Sequence, residues 1–461
     1  MVKYDILVVG GGPGGYVAAI KAAQLGAKVV LIEKHKLGGI CLNYGCIPTK
    51  SFLKSAKIFD TLKHAEQFGI HKNNDVFFDW GSILKRKNQI VEQLNNGIMF
   101  LLKKNKIDFY NCFAEILTPH SVKADDKILE TKKIIIATGA TAFIPPIPGA
   151  KESYENKFLY TSKELVNITK FPKKIIIIGG GVIGIEFGTM FQKFGSEVII
   201  IERQSSILSN IDHDIIDSYT KKLKKSGIQI HTNTEVVEIK DNTVYYKSAK
   251  EIQNQTADII LMSIGIKPNL KGLEKLNLKT TRQGVITDHF LRTSVENVYA
   301  IGDVNGKYML AHVASHEGII AVEHALNCQS EENLHHMEYD CVPACIYGFP
   351  EIASVGKTEK EVKEQNLNYK ISIFNVKNIG KSLADNETEG FAKIIIDKDN
   401  YKILGMHILS YNATELITEI SVIMKKKGTV HDIANTIHPH PTLSELIHET
   451  VLGAIDKPIH M

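Results

Sequence analysis

The sequence is short of cysteine: six in 461 residues, at Cys41, Cys46, Cys112, Cys328, Cys341 and Cys345. That is too few for a disulfide-stapled secreted scaffold, and it favours catalytic or metal-binding work for any close pair. No apolar run approaches the roughly 18 residues of a membrane span. The Ile175–Ile178 run that enters Gly179–Gly181 reads as a buried strand. Neither sign of charge dominates, since 55 Lys and Arg stand against 51 Asp and Glu, a balance of +4 with no basic block. This argues against a dedicated nucleic-acid surface. No cationic leader and no Arg/Ser-rich transit segment precedes a strand at Tyr4–Val9, so the expectation is a soluble, unexported protein. Hydrophobic residues at 44% and charged residues at 23% exclude a disordered or fibrous chain, and the length suggests about three domains.

What the chain does contain is a repeat. The strand Tyr4–Val9 runs into Gly10-Gly-Gly12-Pro-Gly-Gly15, a helical stretch to Leu25, Gly26, and the strand Lys28–Ile32 closed by Glu33. Lys174–Ile178 runs into Gly179-Gly-Gly181-Val-Ile-Gly184, a helical stretch to Phe194, Gly195, and the strand Glu197–Ile201 closed by Glu202. Aligned on the first glycine, the other motif glycines fall at +2 and +5, the helix-ending glycine at +16 and the acid at +23 in both copies. One such glycine triplet is weak evidence; two in register predict two dinucleotide sites. The first glycine permits the tight turn, the second lets backbone approach a pyrophosphate, and the third packs helix on strand. The helix N-terminus then faces the phosphate charge, and the acid accepts from ribose hydroxyls. Glu202 repels a 2′-phosphate, so the second site favours NAD over NADP, with Arg203 beside it acting the other way.

Strand patterns at Lys133–Gly139, Asp258–Gly265 and Val298–Asp303 read as returns of the chain to each nucleotide sheet. Asp303 then stands at the carboxyl end of a strand, where ligands gather, or serves as a turn aspartate before Val-Asn-Gly. The expected class is α/β: two Rossmann-like dinucleotide-binding domains, one inserted in the other, with a C-terminal α+β domain. The expected segments are 1–148, 149–275, a return at 276–340, and 341–461. In the last, strands are expected at Phe391–Ile396 and Lys402–Ile408 and helices from Thr414 and Leu443.

Cys41-Leu-Asn-Tyr-Gly-Cys46-Ile-Pro-Thr-Lys50 follows the first nucleotide unit, ahead of a helical stretch Ser51–His64 in which Pro48 suits a first turn. Both thiols can sit at a helix start, which favours thiolate. Zinc would want two further Cys or His ligands at matching spacing, and none accompanies the pair, so no metal is expected. Two inert core cysteines remain the alternative. Cys341-Val-Pro-Ala-Cys345, in strand-like sequence without a charged neighbour, reads as structural.

Gly39-Ile-Cys41…Cys46-Ile-Pro-Thr-Lys50, the second glycine unit at Gly179 and His440-Pro-Thr-Leu-Ser-Glu445 together resemble the pyridine nucleotide–disulfide oxidoreductases over essentially the whole chain. The resemblance implies FAD in the first site, NAD in the second, and a C-terminal domain that forms a homodimer. It implies Cys41 as the interchange thiol, Cys46 as the charge-transfer thiol against the flavin, and Lys50 paired with Glu186 near the flavin's reactive edge. His440, held by Glu445, would be the acid–base and would enter the active site of the partner subunit. The cofactors are expected against Gly10, Gly12, Gly14, Gly15, Glu33, Lys34, Gly39, Thr138, Gly139, Gly179, Gly181, Gly184, Glu202, Gly265, Gly302, Asp303, Met309, Leu310, Ala311 and His312. Within the family the motifs fit oxidation of protein-bound dihydrolipoamide with reduction of NAD+. The implied partners are a lipoyl-bearing acyltransferase subunit of a 2-oxo acid dehydrogenase complex, or the lipoyl carrier of glycine cleavage, and no nucleic acid or membrane. The implied location is the bacterial cytoplasm.

The alternatives are specific. An NADPH-dependent disulfide reductase of the glutathione reductase type would want arginines where Glu202 stands; a mercuric-ion reductase would carry a C-terminal cysteine pair, and none follows Asp456. A flavin-retaining scaffold would not need Cys41, Cys46 and His440 together. Thr442-Leu-Ser-Glu445 is also a capping-box pattern, and His438 is a rival base. Ile40, Tyr44, Thr49, Pro439 and Phe349 depart from the commonest family pattern, and none of these removes a reacting group.

Overall fold

The computed structural model describes residues 3–71, 74–249, 251–328 and 335–460, so the outer ends of the expected segments, Met1 and Met461, lie outside the described residues. β1 (Lys3–Val9) is buried over Ile6–Val9 on both faces, as a central parallel strand must be. It turns into α1 (Pro13–Gln24), with Pro13 in the first turn, and β2 (Val29–Ile32) returns parallel to β1 with Val9 opposite Ile32. Next come α2 (Gly39–Tyr44), α3 (Cys46–Lys63) and α4 (Trp80–Lys104). Then β3 (Asp108–Tyr110), β4 (Ala114–Thr118), β5 (Ser121–Ala124) and β6 (Lys127–Ile136) complete the order β3-β2-β1-β6-β5-β4. α3 begins at Cys46, earlier than the sequence pattern suggests, because Pro48 is compatible with a first turn and Gly45 frees the backbone before it.

β7 (Ala140–Ala142) leads through α5 (Ala150–Glu155), β8 (Leu159–Tyr160) and α6 (Ser162–Leu165) to the second unit. There β9 (Lys174–Ile178), α7 (Val182–Phe194), β10 (Glu197–Ile201), α8 (His213–Lys225) and β11 (Gln229–His231) are followed by a meander of β12 (Thr234–Lys240), β13 (Thr243–Ser248) and β14 (Glu251–Thr256). β15 (Ile259–Met262) completes a parallel sheet in the order β11-β10-β9-β15-β8. The core orders β3-β2-β1-β6 and β11-β10-β9-β15 match, so the repeat extends from motif to topology. β16 (Ile266–Pro268) pairs antiparallel with β7, and β17 (Val298–Ala300) joins the first sheet beside β6.

β17 ends at Ala300, three residues short of the expected strand. Gly302 takes φ +69 and starts a 3-10 turn to Val304, a conformation that stops the ladder. α9 (Ala311–Ala325) then crosses α1, where a Cβ on Gly318 would stand 2.8 Å from the carbonyl oxygen of Gly14.

The C-terminal part is an antiparallel sheet in the order β18-β19-β22-β21-β20, from β18 (Ala344–Ile346), β19 (Glu351–Gly356), β20 (Tyr369–Asn375), β21 (Phe391–Asp397) and β22 (Ile403–Ser410). It carries α10 (Glu359–Glu364), α11 (Gly380–Ala384), α12 (Ala413–Lys425), α13 (Val430–Ala434) and α14 (Ser444–Ile455). Ile394, Met406 and Ile408 pack against Ile417, Leu446 and Val451 in its core. On β21, the fully buried Lys393 donates to Asp212 at 2.8 Å, Asp214 at 2.6 Å and Glu359 at 2.8 Å. These bonds tie α8 to the C-terminal sheet. Asp212, His213 and Glu359 lie close enough together to hold a cation, and the Lys393 ammonium already bonds both carboxylates.

Candidate functional site

The two nucleotide units and the C-terminal sheet enclose one cavity of about 2590 Å³. Its walls settle first from the glycines. Gly10 and Gly179 both adopt φ +106, where a side chain would meet the carbonyl oxygens of Ala137 and Ser263 at 2.2 and 2.7 Å. Gly15 and Gly184 lie off the cavity and do packing work: a Cβ there would stand 1.8 and 2.2 Å from the carbonyls of Gly10 and Gly179. Gly12 and Gly181 are different. They cap α1 and α7 with extended backbone and line the cavity, and an added Cβ would meet nothing closer than 3.9 Å at Gly12 and nothing within 4 Å at Gly181. Each helix therefore presents its first N–H groups to an open cradle, the arrangement a pyrophosphate requires.

The two acids are placed alike. Glu33 accepts from the amides of Gly11 and His35, both at 2.7 Å; Glu202 accepts from Gly180 at 2.7 Å and Gln204 at 2.6 Å. Both carboxylates are thereby oriented on the cavity wall. Gly14, Lys34, Gly39, Thr138, Gly139, Gly265, Gly302, Asp303, Met309, Leu310, Ala311 and His312 line the same cavity. Burial pushes the Asp303 carboxyl up to about 6. The turn that carries it is fixed by Glu317, a residue the sequence reasoning passed over. Fully buried on α9, Glu317 accepts from the Gly302 amide at 2.6 Å, Asn305 at 2.9 Å and the Tyr339 hydroxyl at 2.7 Å. An acid inside the apolar stripe of Ala311–Ala325 was its one sequence signal.

Cys41 lies on α2 and Cys46 is the first residue of α3; both line the cavity. A hydrogen bond between the two side chains lowers the Cys46 thiol and raises that of Cys41. The Lys50 ammonium and the backbone at the start of α3 further favour the Cys46 thiolate, against burial. Lys50 follows one helical turn on, so it shares a face with Cys46. Its Nζ contacts both carboxylate oxygens of Glu186, at 2.8 and 2.9 Å. Glu186 is 4% exposed on α7, 136 residues away in sequence. Cys345 also lines this wall. Contrary to the sequence reading, it has charged neighbours: burial first and then Glu351 push its thiol up to about 11, with Lys50 opposing. Such a thiol is protonated and inert. β18 folds it there through antiparallel pairing with β19, which its local sequence does not disclose.

His440 and Glu445 stand apart from the cavity of their own chain. Nδ1 of His440 bonds Oε1 of Glu445 at 2.9 Å, and the other carboxylate oxygen accepts from the Thr442 amide at 3.0 Å. Burial works against the Glu445 charge, and the bonds from His440 and Thr442 overcome it, so the carboxyl lies below its ordinary range. α14 starts at Ser444 without a side-chain cap, so Thr442 does not form the capping box. The His440 side chain is 75% exposed. The His438 side chain is 6% exposed and has both ring nitrogens engaged, with Glu419 at 3.0 Å and the Thr436 carbonyl at 2.9 Å.

The sequence pattern of the pyridine nucleotide-disulphide oxidoreductases matches residues 4–318, and that of their dimerisation domain matches residues 342–451. The chain belongs to this family. It is a flavoprotein disulfide oxidoreductase whose cofactors are FAD and NAD, and the two glycine cradles fit them. Among its relatives are dihydrolipoyl dehydrogenases. That of Acholeplasma laidlawii is 54% identical over 324 residues, 70% of this chain and 96% of the relative. That of Mycoplasma pneumoniae is 38% identical over 98% of this chain and 99% of the relative, and that of Bacillus subtilis 40% identical over 99% of each. Among solved structures, the Cu(II) complex of the HOCl-induced flavoprotein disulfide reductase RclA from Escherichia coli superposes with a TM-score of 0.86. It shares 28% identity over 98% of this chain and 99% of that one.

Proposed function

We propose that the chain oxidises protein-borne dihydrolipoamide to lipoamide and reduces NAD+ to NADH, as a dihydrolipoyl dehydrogenase. One observation carries the reading: the Cys41–Cys46 pair and the Lys50–Glu186 ion pair share one wall of a cavity into which both nucleotide cradles open. In the oxidised protein, Cys41 and Cys46 form the disulfide. A substrate thiolate attacks Sγ of Cys41, and Cys46 leaves as a thiolate stabilised by Lys50. His440 takes the proton of the first substrate thiol, passes it to solvent, and then takes that of the second, with Glu445 holding its tautomer and supporting the imidazolium. The second substrate sulfur then displaces Cys41 and closes lipoamide. FAD, whose pyrophosphate the Gly12 cradle would hold, would supply two-electron transfer between the Cys41–Cys46 dithiol and NAD+. Gly12 and Gly181 leave room for the pyrophosphates, the buried Asp303 carboxylate would offer FAD an acceptor, and Glu202 would select against a 2′-phosphate.

The division 1–148, 149–275, 276–340 and 341–461 accompanies this reading, supported by the return of β17 to the first sheet. The exposed His440, outside its own cavity, supports a homodimer in which it serves the partner subunit's site. The lipoyl-bearing acyltransferase subunit of a 2-oxo acid dehydrogenase complex, or the glycine-cleavage carrier, supplies the substrate. A location in the bacterial cytoplasm accompanies this reading, supported by the bacterial sources of its relatives. Among the described residues no helix is long and apolar enough to cross a membrane.

Replacing Cys46 by Ser tests the roles. Lipoamide turnover should vanish while NADH oxidation by an artificial electron acceptor persists; equal loss of both would refute the assignment.

A further inference from the structure

The Lys50 side chain is 32% exposed and flexible, yet its charge acts on Cys46 only while it stays in place. Glu186 accounts for part of that restraint. The rest comes from Tyr347, the residue just after β18. The Lys50 ammonium lies 4.4 Å from the centre of the Tyr347 ring. The Tyr347 amide donates to Oε1 of Glu186 at 3.0 Å, so one residue holds the cation with its ring and the anion with its backbone. That residue is itself fixed. β18 pairs with β19 up to Ile346, and a Cβ on the following Gly348 would stand 2.0 Å from the hydroxyl oxygen of Tyr219, a fully buried side chain of α8. The turn thus rests directly on the second nucleotide unit.

We propose that Tyr347 is a positioning residue of the redox centre: its ring face and its amide hold Lys50 and Glu186 together and so fix the charge beside Cys46. The inference rests on the reading of Cys46 as the thiolate next to Lys50. The groups that bear on Cys46 are Cys41 from α2, Lys50 from α3 and Glu186 from α7; Cys345 approaches Lys50 from the same strand end as Tyr347. A ring quadrupole holds an ammonium most strongly where water is reduced, as on this cavity wall. Leucine in its place would keep apolar volume and the amide but remove that attraction. Phenylalanine would keep the ring and lose only the hydroxyl.

The test compares Tyr347→Phe, Tyr347→Leu, Lys50→Gln and the Leu/Gln double variant in the reduced holoprotein. Iodoacetamide labelling of Cys46, located by fragment masses, is followed across pH. The apparent Cys46 pKa should rise by about half to one unit in Tyr347→Leu and stay unchanged in Tyr347→Phe. The double variant should match Lys50→Gln alone, because the ring acts through Lys50. If Tyr347→Leu does not fold, Tyr347→Met takes its place with the same expectation. A Lys50→Gln shift with no Tyr347→Leu shift overturns the Tyr347 role alone. Equal shifts in Leu and Phe, or an additive double variant, also overturn it. No shift in Lys50→Gln overturns the underlying thiolate reading and this inference with it.

Discussion

Asp303 sets stability against binding within the site. Burial raises its carboxyl to about 6, roughly two units above an ordinary aspartate. In the protein stripped of flavin, the folded state therefore holds this proton more tightly than the unfolded chain. The sign follows: the stabilisation is full below about pH 4, is lost as pH rises through about 6, and is absent above it. Two units correspond to at most about 3 kcal/mol, and relaxation around the charge should leave about 1–2 kcal/mol. Asp303→Asn removes the titration. Its apoprotein should match the native one near pH 4 and melt higher above pH 6, by about 1 °C per kcal/mol for a chain of this length. On the proposed role of Asp303 as an acceptor for FAD, the same variant loses a charged hydrogen bond worth about 1.5–3 kcal/mol, so FAD should bind roughly 10- to 100-fold more weakly. Thermal melts of both apoproteins from pH 4 to 8 and flavin-fluorescence titrations read the two effects. A melting difference that does not change with pH, or a native apoprotein more stable than the Asn variant at pH 7.5, would refute the reasoning.

Other perturbations separate packing from binding. Gly181→Ala places its methyl in open space and should fold normally while losing NAD affinity, measured by NADH fluorescence; Gly184→Ala drives a methyl to 2.2 Å from the Gly179 carbonyl and should lower soluble yield and melting temperature. Lys393→Met leaves the buried Asp212 without its cation and should cost about 3–5 kcal/mol in urea unfolding, part of it recovered when Asp212→Asn is added. His440→Gln should lower steady-state lipoamide turnover about 10²–10⁴-fold and leave artificial-acceptor reduction by NADH nearly intact. A parallel loss of both activities would place His440 elsewhere in the cycle.

What the sequence disclosed was local or periodic. The glycine spacings specify turn, cradle and helix packing within about 25 residues, and the structure gives Glu33 and Glu202 the same pair of amide partners. The Cys41–Cys46 spacing likewise lies within one turn and two helix starts. Contacts set by tertiary return were not legible. Lys50 and Glu186 are joined only when α3 packs on α7, and local spacing could not pair them; the family resemblance did. Glu317, Tyr347 and the Lys393 cluster escaped because their partners come from distant segments. β17 stops short of the expected strand because Gly302 turns with φ +69, a backbone conformation that the strand-like residues before it do not disclose. In sequence only the family motif separates His440 from His438; in the structure the His438 side chain is buried against Glu419 and that of His440 is exposed beside Glu445.

The central claim is that one cavity joins dithiol chemistry at Cys41 and Cys46 to a nicotinamide site that refuses a 2′-phosphate. An anaerobic spectral titration of the FAD-loaded protein with dihydrolipoamide, followed by NAD+ or NADP+ in parallel, tests it most directly. The account predicts a long-wavelength thiolate–flavin band on adding dihydrolipoamide, then reoxidation by NAD+ and not by NADP+. A flavin that ignores dihydrolipoamide yet is reduced by NADH would contradict it.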